Sequence, residues 1–321
     1  MPPAIVECVP NFSEGRDART VDALAAAVAS VTGVALLDRT MDPDHHRCVL
    51  TFAGAPSDVR EAALRAVERA IALIDLTRHR GVHPRIGAAD VVPFVPVRGV
   101  TLDECARLAE TFGHALWDRF RLPVYLYEAS ARRPERVRLE NIRRGGFEGL
   151  RAALTGAVAG AVERNAAGDA DRRPDIGGPE LHPTAGATVT GARKFLIAYN
   201  LNLTTSDLAI AKRVARAVRA SSGGLPCVKA MGVPLASRGL AQVSMNLTDF
   251  ETTPVGRVFE AVKRETGRLG SEIAGGELIG LIPRAALDEN AEWFRTLENF
   301  RPDCVLETRL DRVLTPRGTA A

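Results

Sequence analysis

The sequence has only five cysteines, Cys8, Cys48, Cys105, Cys227 and Cys304, and no two of them stand close together. With no CxxC pair and no disulfide framework, a reducing cytoplasm is the expected compartment. The opening MPPAIVECVPNF has neither a basic n-region nor a long apolar stretch, so it does not read as a signal peptide. No run of about 18 uninterrupted apolar residues occurs, so no transmembrane helix is expected. Charge of one sign is also missing: 42 Lys and Arg stand against 39 Asp and Glu, a net of +3. The arginines are scattered, with no basic run and no aromatic ladder, which argues against nucleic acid as a partner. There is no GxGxxG, no GxxxxGK[ST] and no GxSxG, so nucleotide binding and serine hydrolysis by those routes have no support. No cysteine stands in a known nucleophile pattern with a histidine. Cys8 and Cys48 fall in strand-like runs and read as core residues.

What is present is one pattern, twice. The chain has 321 residues, 46% of them apolar and 25% charged, enough for about two soluble domains. The first half reads as strand 4–10, helix 21–31, strand 34–38, strand 47–54, helix 57–76 and strand 90–97, followed by helix 102–112 and strand 123–127. The second half reads as strand 194–203, helix 204–221, strands 226–235 and 239–247, helix 252–269, strand 276–283 and helix 285–294. Each is βαββαβ, the ferredoxin-like split unit. The fold class is therefore α/β (α+β), with two ferredoxin-like subdomains in tandem. The bounds are set at 1–178 and 179–305, with a frayed tail at 306–321. The segment 131–193 is too long for a bare linker; it is charged at first, helical in the middle, and rich in Gly, Pro and Thr over 171–193. A cleft between the subdomains, lined by this segment and by the loop of Arg78–Phe94, is the default ligand site.

The residues that carry chemistry gather in RHRGVHPRIGAADVVPF, Arg78–Phe94. His83 is either a loop histidine satisfied by a backbone carbonyl or a general acid/base, since imidazole titrates near neutral pH. Pro84 biases His83 away from the helical region, and Gly81 and Gly87 leave room for a ligand near the backbone. Arg85 is suited to clamp a carboxylate. In DPDHHR, Asp42–Arg47, the adjacent histidines His45 and His46 would point apart on a strand. No second cluster stands at ligand spacing, so no metal is expected. Asp38 reads as a turn former or as the orienter of a base. GATVTGARKF, Gly186–Phe195, offers backbone N–H groups and Arg193 to an anion.

Four strings in this order, VECVPNFSEGR, LTRHRGVHPRIGAADVVPFVPVRGVTLDEC, GATVTGARKFLIAYNLNL and GLAQVSMNLTDFE, resemble the glutamate formiminotransferases over nearly the whole chain. The resemblance implies transfer of a formimino group between N-formimino-L-glutamate and N5 of tetrahydrofolate, in histidine degradation and one-carbon metabolism. Tetrahydrofolate would be the co-substrate, without a metal, in a tunnel between the two ferredoxin-like subdomains. The family's catalytic histidine corresponds to His83, and its folate-binding loop to Gly178, Pro179, Pro183 and Gly186. Arg85, Arg193 and Arg47 would grip the carboxylates of the two polyanionic substrates. A cytoplasmic homodimer without the following cyclodeaminase domain is implied. The alternatives are a formyltransferase using N-formylglutamate, with the same histidine, and a catalytically silent folate-binding protein.

Overall fold

Apolar residues at three- and four-residue spacing build the helices here, and β-branched runs build the strands. A computed structural model describes residues 3–43, 45–81, 84–155, 172–235 and 238–314. The chain divides into two compact units, Met1–Arg193 and Lys194–Ala321.

In chain order the first unit holds β1 (Ile5–Cys8), β2 (Asn11–Phe12), α1 (Ala18–Ala29), β3 (Val34–Asp42), β4 (Arg47–Gly54), α2 (Pro56–Leu73), β5 (Ala89–Arg98), α3 (Leu102–Phe120), β6 (Val124–Glu128), α4 (Leu139–Ile142), α5 (Gly146–Thr155) and β7 (Thr188–Ala192). β1 and β2 are pieces of one strand interrupted at Val9–Pro10, since both pair antiparallel with β4 and β5. Counting them as one, the sheet runs β3-β4-β1/β2-β5-β7-β6. β3 continues to Asp42, four residues beyond the expected end, because its ladder with β4 persists to Asp42↔Arg47. α2 begins at Pro56 rather than Ser57, with proline in its first turn where no N–H is needed. α3 starts with a capping box between Thr101 and Glu104, a reciprocal bond that satisfies two exposed N–H groups.

α1, α2 and α3 cover one face of this sheet. Val21, Leu24, Val59, Leu64, Phe94, Phe112 and Leu116 form the larger core there. A second, smaller core lies around Ile86, Val91, Tyr125, Tyr127, Ile142, Leu150 and Val189. On β5, Val92 and Phe94 enter the first core and Val91 the second, the period of two of a strand buried on both faces.

The stretch expected to be irregular over 171–193 contains β7, which pairs in parallel between β5 and β6. This pairing carries the first unit to Arg193, past residue 178. Ahead of β7 the chain crosses the loop before β5 at two glycines, bridged Gly87↔Gly186. Gly186 has φ +71°, and a Cβ there would lie 2.1 Å from the Ile86 carbonyl oxygen. Gly186→Ala is therefore expected to lower stability by about 2–4 kcal/mol, from left-handed strain plus overpacking. Thermal unfolding beside Gly149→Ala, whose Cβ would meet nothing within 4 Å, checks this. Equal melting temperatures for the two variants would contradict it.

The second unit holds β8 (Ile197–Leu203), α6 (Leu208–Val218), β9 (Val228–Leu235), β10 (Leu240–Leu247), α7 (Val255–Gly267), β11 (Ile273–Ile279), α8 (Glu292–Arg295) and α9 (Leu306–Leu314). Its sheet order is β11-β8-β10-β9, all antiparallel. The fourth, first, third and second strands stand in that order in both sheets, so the βαββαβ pattern is realised twice. Tyr199, Leu201, Val243, Phe259 and Trp293 centre this unit's core. On β8 and β10, Asn202 and Gln242 are buried and hydrogen-bonded, Gln242 Nε2 donating to Asn202 Oδ1 at 2.8 Å and Asn202 Nδ2 to Glu277 Oε1 at 3.3 Å. Two expectations are corrected here. The helix expected over 285–294 reduces to α8, because the Asp288 carboxylate accepts from Asn290 N (3.1 Å) and turns the chain. Residues 306–314 of the tail expected to fray form α9, anchored by buried Leu306, whose N–H donates to the Ile282 carbonyl at 3.0 Å; residues 315–321 lie outside the described residues.

Candidate active site

The loop leaving α2 carries the chemistry. Asp75 caps it by accepting from Thr77 N (2.9 Å) and Thr77 Oγ1 (2.6 Å). Leu76 N donates across to the Thr184 carbonyl at 2.8 Å, tying the loop to the segment ahead of β7. His83, the residue the sequence favours as acid/base, lies outside the described residues, as does Val82. Their neighbours on both sides are held in detail.

His46 and His79 stack with ring centroids 4.1 Å apart and 9° between planes. His46 sits at φ +51° in the β3–β4 turn, a left-handed conformation that histidine tolerates better than most residues. The adjacent histidines therefore lie in a turn, not on a strand. His46 Nδ1 faces the Arg80 carbonyl at 2.9 Å and its Nε2 faces Glu14 Oε1 at 3.2 Å. His45 instead pairs with Asp42, Nδ1 to Oδ2 at 2.7 Å. His79 is 4% exposed. Its Nδ1 accepts from Arg85 Nε at 2.8 Å, and its Nε2 lies 3.0 Å from the His46 carbonyl. Arginine is a donor only, so the His79 proton must be on Nε2.

By sequence Arg85 is suited to clamp a ligand carboxylate. The carboxylate it grips here is that of Glu148 on α5, bidentate at 3.0 and 2.8 Å. Arg47 lines one small pocket with Ser13, His45, His46, His79, Arg85 and Asp90. Asp90, almost fully buried, accepts from Ile86 N at 2.7 Å and pairs with the Arg143 guanidinium. Ser13 Oγ donates to the Gly87 carbonyl at 2.7 Å.

Burial sets the charges. It lowers the His79 pKa below the ordinary histidine value and does the same to His182. Burial, and then the neighbouring Arg143, lower Arg47 from its usual value. Burial alone would raise Glu14, but N–H donors from Asp17 and Arg16 hold its carboxyl below the usual range. Because His79 and His182 bind protons more weakly folded than unfolded, they add stability that is complete above about pH 6.5, the ordinary histidine value. That contribution is lost as pH falls through their lowered folded values. The melting temperature should therefore drop between neutral and mildly acidic pH. A double His79→Asn, His182→Asn variant should flatten that slope, and an unchanged slope would contradict the assignment.

The other sequence candidates spread along the segment ahead of β7. Gly178 lies against Trp117 of α3, where a Cβ would stand 3.3 Å from the ring. Pro179 and Pro183 are exposed. His182 and Gly186 exchange backbone hydrogen bonds at 2.9 and 3.0 Å, and Gly186 reaches the active loop at Gly87. Arg193, at the end of β7, bonds through its N–H to the Phe94 carbonyl (3.2 Å) and through its side chain to Tyr127. Burial pushes the Tyr127 phenol up to about 12. The structure thus brings Arg47, Arg85 and Gly186 to the loop of His79. It sets Gly178 against α3 and Arg193 beside Tyr127.

Sequence reasoning missed His79, Glu14, Asp90, Arg143 and Glu148. His79 stood in the same string as His83, and Glu14 in NFSEGR. Nothing local distinguished them from solvated loop residues. Among the described residues no group of three or more His, Cys, Asp or Glu is placed to hold a metal ion. Among the same residues no helix is long and apolar enough to cross a membrane.

Two α/β units with a histidine- and arginine-rich loop between α2 and β5 define the class. Residues 5–193 match the N-terminal subdomain of the formiminotransferase domain, and residues 198–308 match the formiminotransferase domain model that follows. The chain belongs to the formiminotransferase family. It is 42% identical to a glutamate formimidoyltransferase of Streptococcus pyogenes serotype M1, over 92% of this chain and 95% of that one. It is 41% identical to a glutamate formimidoyltransferase of Thermoplasma acidophilum, over 96% and 98%. It is 44% identical to the formimidoyltransferase-cyclodeaminase of Sus scrofa, over 92% of this chain but 53% of that longer protein.

Proposed function

We infer that this protein is a glutamate formimidoyltransferase, moving the formimino group between N-formimino-L-glutamate and N5 of tetrahydrofolate. Histidine degradation and one-carbon metabolism are the setting, and tetrahydrofolate is the co-substrate. The observation that carries this is end-to-end similarity to two glutamate formimidoyltransferases, at 42% and 41% identity over 95% and 98% of their lengths.

The exchange needs a proton moved from one nitrogen to another. N5 gives up its proton as it bonds to the formimino carbon, and the glutamate nitrogen takes one as its bond to that carbon breaks. His83 is assigned as the base that accepts the first proton and returns it as acid. Its place in GVHPRIG, between Gly81 and Pro84, and the family motif it matches support this. Arg47 and Arg193 are assigned to substrate carboxylates, and Gly178, Pro179, Pro183 and Gly186 to the folate loop. Arg85 was a third candidate clamp, and its bidentate bond to Glu148 argues for another role. A cytoplasmic homodimer is proposed on the family resemblance, together with five free cysteines.

The test mixes the purified chain with tetrahydrofolate and N-formimino-L-glutamate, following 5-formimino-tetrahydrofolate by absorbance, with N-formylglutamate as a second donor. Turnover with the formimino donor supports the assignment. Turnover with the formyl donor alone makes this a formyltransferase, and folate binding without turnover of either makes it a silent binding protein.

A further inference from the structure

The chain ahead of β7 folds back on itself at His182–Gly186. The two end residues exchange both backbone hydrogen bonds, His182 N donating to the Gly186 carbonyl at 2.9 Å and Gly186 N to the His182 carbonyl at 3.0 Å. They close a hairpin over Pro183, Thr184 and Ala185, and Gly186 supplies the left-handed residue that such short turns need. The hairpin is tied to the chain leaving α2 and to the chain entering β5. Leu76 N donates to the Thr184 carbonyl at 2.8 Å, Ala88 N to the Ala185 carbonyl at 2.9 Å, and Ala187 N to the Ile86 carbonyl at 3.0 Å. Gly87, bridged to Gly186, also accepts from Ser13 Oγ, and Ser13 lines the pocket with Arg47, His79 and Asp90. The hairpin is thus a fixed body two residues removed from that pocket.

The His182 ring is oriented by this hairpin, and half of it is unused. His182 Nδ1 accepts from Ala185 N at 3.1 Å. A backbone N–H can only donate, so the ring proton is on Nε2. Among the described residues no hydrogen bond reaches Nε2. The residue is half-buried, and burial holds its pKa below the ordinary histidine value. At neutral pH it is therefore a neutral donor with a fixed direction. Capping the turn needs only Nδ1, an acceptor that asparagine supplies with a shorter side chain. We propose that His182 is a substrate-binding residue, its Nε2–H donating to an oxygen of a bound substrate. The proposal rests on the transferase reading above and adds a residue to that site. Tetrahydrofolate and N-formimino-L-glutamate both present carboxylate oxygens, and a neutral N–H suits either. Such a donor holds the substrate and moves no proton, so its loss belongs in KM.

Two substitutions divide the ring into its halves. His182→Asn keeps an acceptor where Nδ1 stood and has nothing where Nε2 stood. His182→Gln brings an amide N–H to the place of Nε2 and leaves Ala185 N without its acceptor. Steady-state kinetics for both substrates, with thermal unfolding of the same full-length proteins at neutral pH, read the two roles apart. His182→Asn should melt within about 1 °C of wild type. Its KM for one substrate should rise about tenfold, the loss of one hydrogen bond, with kcat within about twofold. The substrate whose KM rises is the one that His182 holds. His182→Gln should melt about 2–4 °C lower, with both KM values within about threefold of wild type. Should either variant fail to fold, the other decides alone. Unchanged KM values in His182→Asn would make His182 a turn cap and overturn the proposal. A raised KM in His182→Gln, or a lowered kcat at unchanged KM in either variant, would overturn it too. No turnover by the wild type would instead sink the transferase reading, and the proposed contact with it.

Discussion

Asp175→Ala is expected to destabilise the first unit by about 3–5 kcal/mol, the usual effect of removing one partner from a buried ion pair. Its carboxylate pairs with the Arg136 guanidinium, and the two side chains are 2% and 5% exposed. Asp175 Oδ2 also accepts from Leu126 N at 2.8 Å on β6, and Arg136 donates to the Arg173 carbonyl while lying over the Tyr125 ring at 4.9 Å. Tyr125 Oη completes the set by donating to the Arg172 carbonyl at 2.6 Å. Removing the carboxylate leaves a buried cation and a buried N–H together. The melting temperature should fall by about 10 °C for a unit of this size. Amide exchange should rise first over residues 172–176, because that segment is what the pair fastens to β6. Asp175→Asn keeps an acceptor for Leu126 N and should lose less. A fall of less than about 2 °C for Asp175→Ala would contradict this, since it would show that Arg136 and Leu126 N are not left uncompensated when the carboxylate goes. Loss of folate affinity without loss of stability would reassign Asp175 from fastening the loop to binding.

His83→Ala is expected to lower kcat by about 10²–10⁴-fold, the range for loss of a positioned acid/base. The KM for tetrahydrofolate should change little, since proton transfer belongs to the transition state and not to binding. His83→Gln, which keeps hydrogen bonding but cannot carry the proton, should be as slow as alanine. A result in which KM rises and kcat holds would make His83 a binding residue. A result in which neither moves would shift the acid/base role to another group of the loop, and His79 would be a poor successor because Arg85 occupies its Nδ1.

Much of the scaffold was legible because helix and strand periods are local. The apolar spacing of α2, α6 and α7, the runs of β4 and β8, and the order of elements that repeats in the second unit depend on neighbours a few residues away. The motif strings placed the active loop for the same reason. The sequence by itself therefore determined the elements of the two repeated units, their order and the family. What only the tertiary structure decided is who meets whom. β7 looked irregular because a five-residue strand rich in Thr and Gly has no period of its own and is defined by β5 and β6 on either side. Arg85 looked like a ligand clamp because its partner Glu148 stands 63 residues away, and His79 drew no assignment because its stacking partner His46 stands 33 residues away. A guanidinium or an imidazole has the same local signature whether it waits for substrate or is already bonded, and only the packing that desolvates it and sets its partner tells the two apart.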